Sequence, residues 1–270
     1  MLPKTEWPEF CKLPQLWYGL FNVEHNLTLQ KRKELTGEQS RYIVGIHPHG
    51  LIPYHGLIWA SLSNQYLGLK AFGAAADICS NLPVLRNILG YFGIGQAGYD
   101  VLRAGLTSPA GEGGERQKPS SLFLMPGGQP ESSRTEFGVD TVVFNDRRGL
   151  VKLSIEQGVD LLPVYVFGAS DFYNVAKPSA KWRFLTTAME KGEGFMPLFT
   201  GKFGIPFIFP LIPRKLIFAV GTPIKVAKWD AERDGSEISE FLIDETHASY
   251  LEGLEEVFEK YSKGKVLFVE

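Results

Sequence analysis

The chain has 270 residues, enough for one large domain or two modest ones with a full hydrophobic core. Its apolar fraction of 44% and charged fraction of 21% are those of an ordinary folded protein. A net charge of −2 argues against a general nucleic-acid binder, which needs a basic surface. Cys11 and Cys79 are too few for a disulfide framework or a thiolate metal cluster, so a reducing compartment is expected. The opening Met1 to Pro8 has no apolar stretch of the secretory-signal kind. The most apolar long window, 42–62, carries three histidines, two prolines and several glycines, a mixture a lipid-facing helix would not tolerate. With 19 Phe, 10 Tyr and 5 Trp, the chain has aromatics for a well-filled core, and equally for a greasy pocket or a membrane-facing surface.

Residues 1–40 read as a helical preamble, with Phe10, Leu13, Leu16, Trp17, Leu20 and Phe21 near helical spacing. The remainder, 41–270, reads as a single domain. Arg41 to His47 is short, β-branched and apolar, the pattern of a buried strand. A helix is expected over 57–66, a strand over 69–76 and a short helix over 84–89 capped by Gly90. Residues 107–121 are rich in Gly, Pro, Ser and charge and read as a loop. A buried strand over 121–125 runs into Pro126-Gly127-Gly128, and a helix over 149–157 stops at Gly158. Strands follow over 161–167 and 215–220. From Glu237 the apolar residues Ile238, Phe241, Leu242, Leu251, Leu254, Val257, Phe258 and Tyr261 keep helical spacing, with acidic residues between them. Short apolar strands alternating with helices imply an α/β fold, a mostly parallel mixed sheet flanked by helices.

Three segments carry candidate chemistry. His47-Pro48-His49-Gly50 closes a strand, where α/β sheets build their sites. An imidazole there can take a proton from an alcohol at neutral pH. The proline stiffens the turn, and the glycine lets a ligand approach the backbone. The alternatives are two histidines satisfied by backbone, or a metal site in which His55 joins His47 and His49. Pro126-Gly127-Gly128-Gln129-Pro130-Glu131 follows another strand. The N–H groups of Gly127 and Gly128 could hold an oxyanion or a phosphate, and Glu131 could orient a histidine or cap a helix. In Asn145 to Lys152, the basic residues Arg147, Arg148 and Lys152 could grip phosphates or simply face solvent.

In this order the three segments resemble the type-2 diacylglycerol acyltransferase family, which includes monoacylglycerol and wax-alcohol acyltransferases. His-Pro-His-Gly matches in full, as does Pro126-Gly127-Gly128 with Glu131. Arg148-Gly149-Leu150-Val151-Lys152-Leu153 is similar to that family's Arg-Lys-Gly-Phe block. Further similar blocks are Leu82-Pro83 with Arg86, Gly158, Leu162 to Val164, Phe167-Gly168, Gly201 to Pro206, Val220 to Ile224, and His247 to Tyr250. The resemblance runs from about Tyr42 to Tyr261. It implies a glycerolipid acyltransferase-like fold and transfer of a fatty acyl group from acyl-CoA to the hydroxyl of a neutral lipid. Diacylglycerol is the first expected acceptor, giving triacylglycerol; monoacylglycerol and fatty alcohols are the alternatives. A metal-dependent hydrolase and an inactive lipid-binding relative are the rival readings. Acyl-CoA would be a co-substrate, with no cofactor and no metal.

The wider superfamily pairs its histidine with an acidic residue five positions on, but Tyr54 stands there. Glu131 is therefore the expected partner. In the implied mechanism His49 takes the acceptor proton while the oxygen attacks the thioester, without an acyl-enzyme. Gly127 and Gly128 hold the oxyanion, His47 and Glu131 orient the base, and Arg147, Arg148 and Lys152 bind coenzyme A. Ala169 stands where the family has Glu, which leaves that role to Asp171 or to nothing. The family's hydrophobic hairpin before the histidines has no counterpart in the first forty residues. The expected location is the endoplasmic reticulum membrane or a lipid droplet, reached peripherally or through an N-terminal anchor missing from this sequence.

Overall fold

The structure, a computed structural model, describes residues 21–37, 40–69, 71–107, 120–139, 141–175, 199–201, 215–230, 235, 237–262 and 267–269. The apolar positions Phe10 to Leu20, most of the 107–121 loop and most of the Gly201 to Pro206 block lie outside them.

Seven strands make the main sheet: β1 (Val23–His25), β2 (Tyr42–His47), β3 (Ala71–Ala75), β4 (Ile94–Gln96), β5 (Ser121–Leu124), β7 (Asp160–Phe167) and β10 (Leu216–Val220). Two short pairs stand apart, β6 (Thr141–Val142) with β11 (Phe268–Val269) and β8 (Asn174–Val175) with β9 (Phe199–Thr200). The order across the main sheet is β1-β10-β7-β2-β5-β3-β4. From β7 to β4 all neighbours are parallel. β10 runs antiparallel to β7, and β1 follows β10. The expected mixed, mostly parallel sheet is therefore present. The preamble differs from its expectation. Its described part is not purely helical, because β1 extends the sheet beyond β10 before helix α1 (Leu29–Leu35) begins.

Alternation along the strands sorts the core into two layers. Val44, Ile46, Phe123, Leu162, Val164 and Val166 face helix α2 (Tyr54–Leu67). Ile43, Leu122, Leu161, Tyr165 and Phe167 face α5 (Tyr99–Thr107), α7 (Arg148–Gln157) and α8 (Glu240–Tyr261). β7 is buried on both sides, which is why it reads as an unbroken apolar run.

Two short helices, α3 (Asp77–Asn81) and α4 (Pro83–Tyr91), cover the β3–β4 flank. Helix α4 was expected to stop at Gly90 but runs through it, and Phe92 N–H closes its last turn on the Ile88 and Leu89 carbonyls. Proline at its first position fits the helix start, since that N–H has no intrahelical partner. α7 ends at Gly158 as expected.

Candidate active site

The site lies where β2 and β5 end side by side. Beyond β2 the chain turns through a cis His47–Pro48 peptide and Gly50 into α2. Gly50 has φ +63°, and a Cβ there would come 2.9 Å from the Ala169 carbonyl oxygen. Both facts exclude a side chain at this position. Beyond β5 the chain turns through Pro126 and Gly127 into helix α6 (Gly128–Arg134). A Cβ on Gly127 would overlap the Glu131 carboxyl, so the glycine makes room for that side chain.

Glu131 is 1% exposed. Burying a carboxylate costs several kcal/mol unless hydrogen bonds compensate. Here one oxygen accepts the backbone N–H of His49, and the other accepts that of Val143 at 2.8 Å. His47 Nδ1 lies 3.8 Å from the same carboxylate. Glu131 therefore meets His49 at its main chain and not at its ring. That corrects the simplest form of the expected pair, in which the two side chains meet directly.

The side chain that touches the His49 ring is Ser132, whose Oγ lies 2.8 Å from Nδ1. Nδ1 is also 2.9 Å from the Gly50 carbonyl. A carbonyl can only accept, so these partners place the ring proton on Nδ1 and leave Nε2 as the basic atom. Burial lowers the His49 pKa from its ordinary 6.5, opposed by the Gly50 carbonyl and the Glu131 charge. The ring is thus held neutral, the form a general base needs.

His47 is fully buried and points the other way, into the layer beneath α8. Its Nε2 is 3.1 Å from the Tyr250 hydroxyl, and its ring meets Phe144 edge-on at 5.5 Å. Phe144 stacks on His247 at 4.9 Å, and His247 Nε2 is 3.0 Å from the Phe144 carbonyl. The His247–Tyr250 block of α8 is thereby brought against the His-Pro-His-Gly turn. His55 is also fully buried. Burial, and then the nearby His49, push its pKa down to about 3. Among the described residues no group of three His, Cys, Asp or Glu side chains is placed to hold a metal ion.

The Gly-Gly turn is narrower in its possibilities than expected. Gly128 N–H donates to the Met125 carbonyl at 3.2 Å, so it is not free for an oxyanion; Gly127 remains the candidate donor. At the start of α7, Arg147 and Lys152 are exposed. Arg148 is ion-paired with Asp244 of α8, which neutralises part of the expected phosphate grip. Ala169 packs its carbonyl over Gly50, and Asp171 lies in the same short 3-10 turn, Ala169–Phe172. A surface cavity of about 440 Å³ beside α1 and α8 is lined in part by Val220, Gly221 and Thr222 of the Val220–Ile224 block, and by none of the residues of the His47–Gly50, Pro126–Glu131 and Asn145–Lys152 segments.

Ser132 was not singled out from sequence. Its only signal is its place next to Glu131 at a helix start. Tyr250 left a clearer one, since a Cβ on Gly45 would overlap the Tyr250 hydroxyl. A glycine inside a buried strand often marks such a close approach.

Comparison with known proteins agrees with the motif order. The family model described as diacylglycerol acyltransferase matches residues 16–267. Diacylglycerol O-acyltransferase 2 of Dictyostelium discoideum is 30% identical over 233 residues, 83% of this chain and 66% of that protein. The human protein of the same name is 29% identical over 232 residues, 82% of this chain and 56% of that protein. Diacylglycerol O-acyltransferase 1 of Eremothecium gossypii is 30% identical over 277 residues, 96% of this chain and 56% of that protein. The chain thus spans between 56% and 66% of the length of these three relatives. No solved structure matches it. With the match covering most of its length and all three site segments, this chain belongs to the diacylglycerol acyltransferase family.

Proposed function

We propose that the chain is an acyl-CoA-dependent O-acyltransferase that acylates diacylglycerol to triacylglycerol. The observation that carries this reading is the His49 ring, fixed by Gly50 and Ser132 so that Nε2 is left as a base. Family membership and the names of the relatives support the acyl donor and acceptor. In this mechanism Nε2 takes the proton of the acceptor hydroxyl as that oxygen attacks the thioester carbonyl. The Gly127 N–H stabilises the developing oxyanion. Collapse of the tetrahedral intermediate breaks the C–S bond, and coenzyme A leaves as the thiol with the proton returned by His49. No acyl-enzyme forms.

Arg147 and Lys152, with Arg148 shared with Asp244, bind the phosphates of the donor. The charge reversals Arg147→Glu and Lys152→Glu then raise the acyl-CoA KM about tenfold and leave the order of acceptors unchanged. A changed acceptor order with an unchanged KM would place coenzyme A elsewhere.

The acceptor is a membrane-borne lipid, so the site must open towards a lipid surface, at the endoplasmic reticulum or on a lipid droplet. Leu82, Val84, Ile88, Tyr91, Tyr99 and Val101 support contact there, because all six are exposed around α4 and α5. No helix among the described residues is long and apolar enough to cross a membrane. The glycerolipid acyltransferase-like fold and the division into a 1–40 preamble and a 41–270 catalytic domain belong to the same proposal. The deciding experiment presents purified protein and radiolabelled acyl-CoA with diacylglycerol, monoacylglycerol, long-chain alcohols and sterols. Labelled triacylglycerol as the main product is expected. Release of free fatty acid alone would favour a hydrolase, and no consumption of acyl-CoA would favour an inactive lipid binder.

A further inference from the structure

We propose that Tyr250 of α8 is a positioning residue for the base, acting through His47 and Glu131 on the backbone that carries His49. This rests on the reading of His49 as the base. The three side chains form one buried line: Tyr250 is 0% exposed, His47 0% and Glu131 1%. The Tyr250 hydroxyl is 3.1 Å from His47 Nε2, His47 Nδ1 is 3.8 Å from Glu131, and Glu131 accepts the His49 N–H. None of the three reaches solvent, so none is placed to touch substrate. Their route to the chemistry is the main chain of His49.

For a neutral His47 ring the donors and acceptors along the line fall in one order. His47 Nδ1 makes no hydrogen bond at 3.8 Å from Glu131, but the acceptor-only carboxylate facing it favours a proton on Nδ1. A neutral imidazole then has a lone pair on Nε2, which needs a donor. Tyr250 supplies it, and burial, reinforced by the Glu131 charge, raises the Tyr250 pKa and keeps its proton in place. Removing that hydroxyl frees His47 to take its other tautomer. Its Nδ1 lone pair would then face the carboxylate, and repulsion would loosen Glu131 from the His49 N–H. The missing Cβ at Gly45 lets the hydroxyl come this close. The two histidines of the motif thus have separate tasks, His49 at the reacting oxygen and His47 in the interior.

The test is steady-state kinetics of Tyr250→Phe, His47→Phe, the double variant, His47→Gln and His49→Ala, each checked by thermal melting. Tyr250→Phe keeps the ring against Phe144, 4.8 Å away. Loss of one buried hydrogen bond predicts a fall in kcat of about tenfold with the acyl-CoA KM unchanged. The double variant is no slower than His47→Phe alone, because both act through one line. His47→Gln recovers much of the His47→Phe loss, since its amide can accept from Tyr250 and donate to Glu131. Wild-type kcat in Tyr250→Phe, additive losses in the double variant, or no recovery in His47→Gln would overturn the inference. If Tyr250→Phe fails to fold, the contrast between His47→Gln and His47→Phe still decides. Wild-type turnover in His49→Ala would instead overturn the base assignment, whatever Tyr250→Phe does.

Discussion

At the ends of β2 and β5 the molecule buries polar groups; along α4 and α5, on the β3–β4 flank, it exposes apolar ones. His47, His55 and Glu131 have almost no solvent access, while Val84 is 74% exposed and α4 buries no residue completely. Both arrangements are costly for a protein that reacts with dissolved substrates. They make sense together if the base must be held rigidly and its substrate arrives dissolved in lipid. In the proposed function the centre sets geometry, and the flank sets where the substrate comes from.

The largest effect is expected from breaking the centre. Glu131→Gln puts an amide NH2 against one of the two backbone donors that the carboxylate now satisfies. Leaving a buried donor unpaired costs about 1–3 kcal/mol. A fall in kcat of about tenfold or more is predicted, with a lowered Tm. If Glu131→Gln kept full turnover, the backbone link from Glu131 to His49 would have no catalytic weight. A smaller effect is expected from the flank. Val84→Asp with Ile88→Asp should slow turnover about threefold on diacylglycerol in vesicles and leave a dispersed short-chain acceptor unaffected. Equal losses on both acceptors would break the comparison, since the flank would then act on the centre and not on lipid contact.

The smallest readout is the pH profile of the unaltered protein. Burial holds the His49 pKa below 6.5, so the base stays neutral as the pH falls through that value. The acid limb of kcat/KM should therefore lie below pH 6.5. A limb above it would mean that the free enzyme's base is a different group, or that His49 is stabilised as a cation.

The centre was far more legible in sequence than the flank. β2, β5 and β7 are unbroken apolar runs, and α7 and α8 keep helical spacing, so composition and period suffice to find them. The antiparallel entry of β10 and the edge strand β1 were not legible, because strand direction depends on connections and Val-Glu-His is too short to show a period. The same division holds within the site. His49, Glu131 and Gly127 stand at strand ends and could be picked out. Ser132 could not, since it gains its role from a partner 83 residues away; Tyr250 stands out only as the end of the His247–Tyr250 block, and its tie to His47 spans 203 residues. Gly128 looked like an oxyanion donor because two glycines expose N–H groups, but the tight turn uses its N–H on Met125.

The central claim is that His49 Nε2 removes the acceptor proton. It is tested most directly by measuring labelled triacylglycerol formed from radiolabelled acyl-CoA and diacylglycerol by wild-type and His49→Ala protein of equal folded fraction. A positioned base contributes about 10²–10⁴ in rate. The account predicts a loss in that range for His49→Ala with the acyl-CoA KM little changed; wild-type turnover in that variant would contradict it.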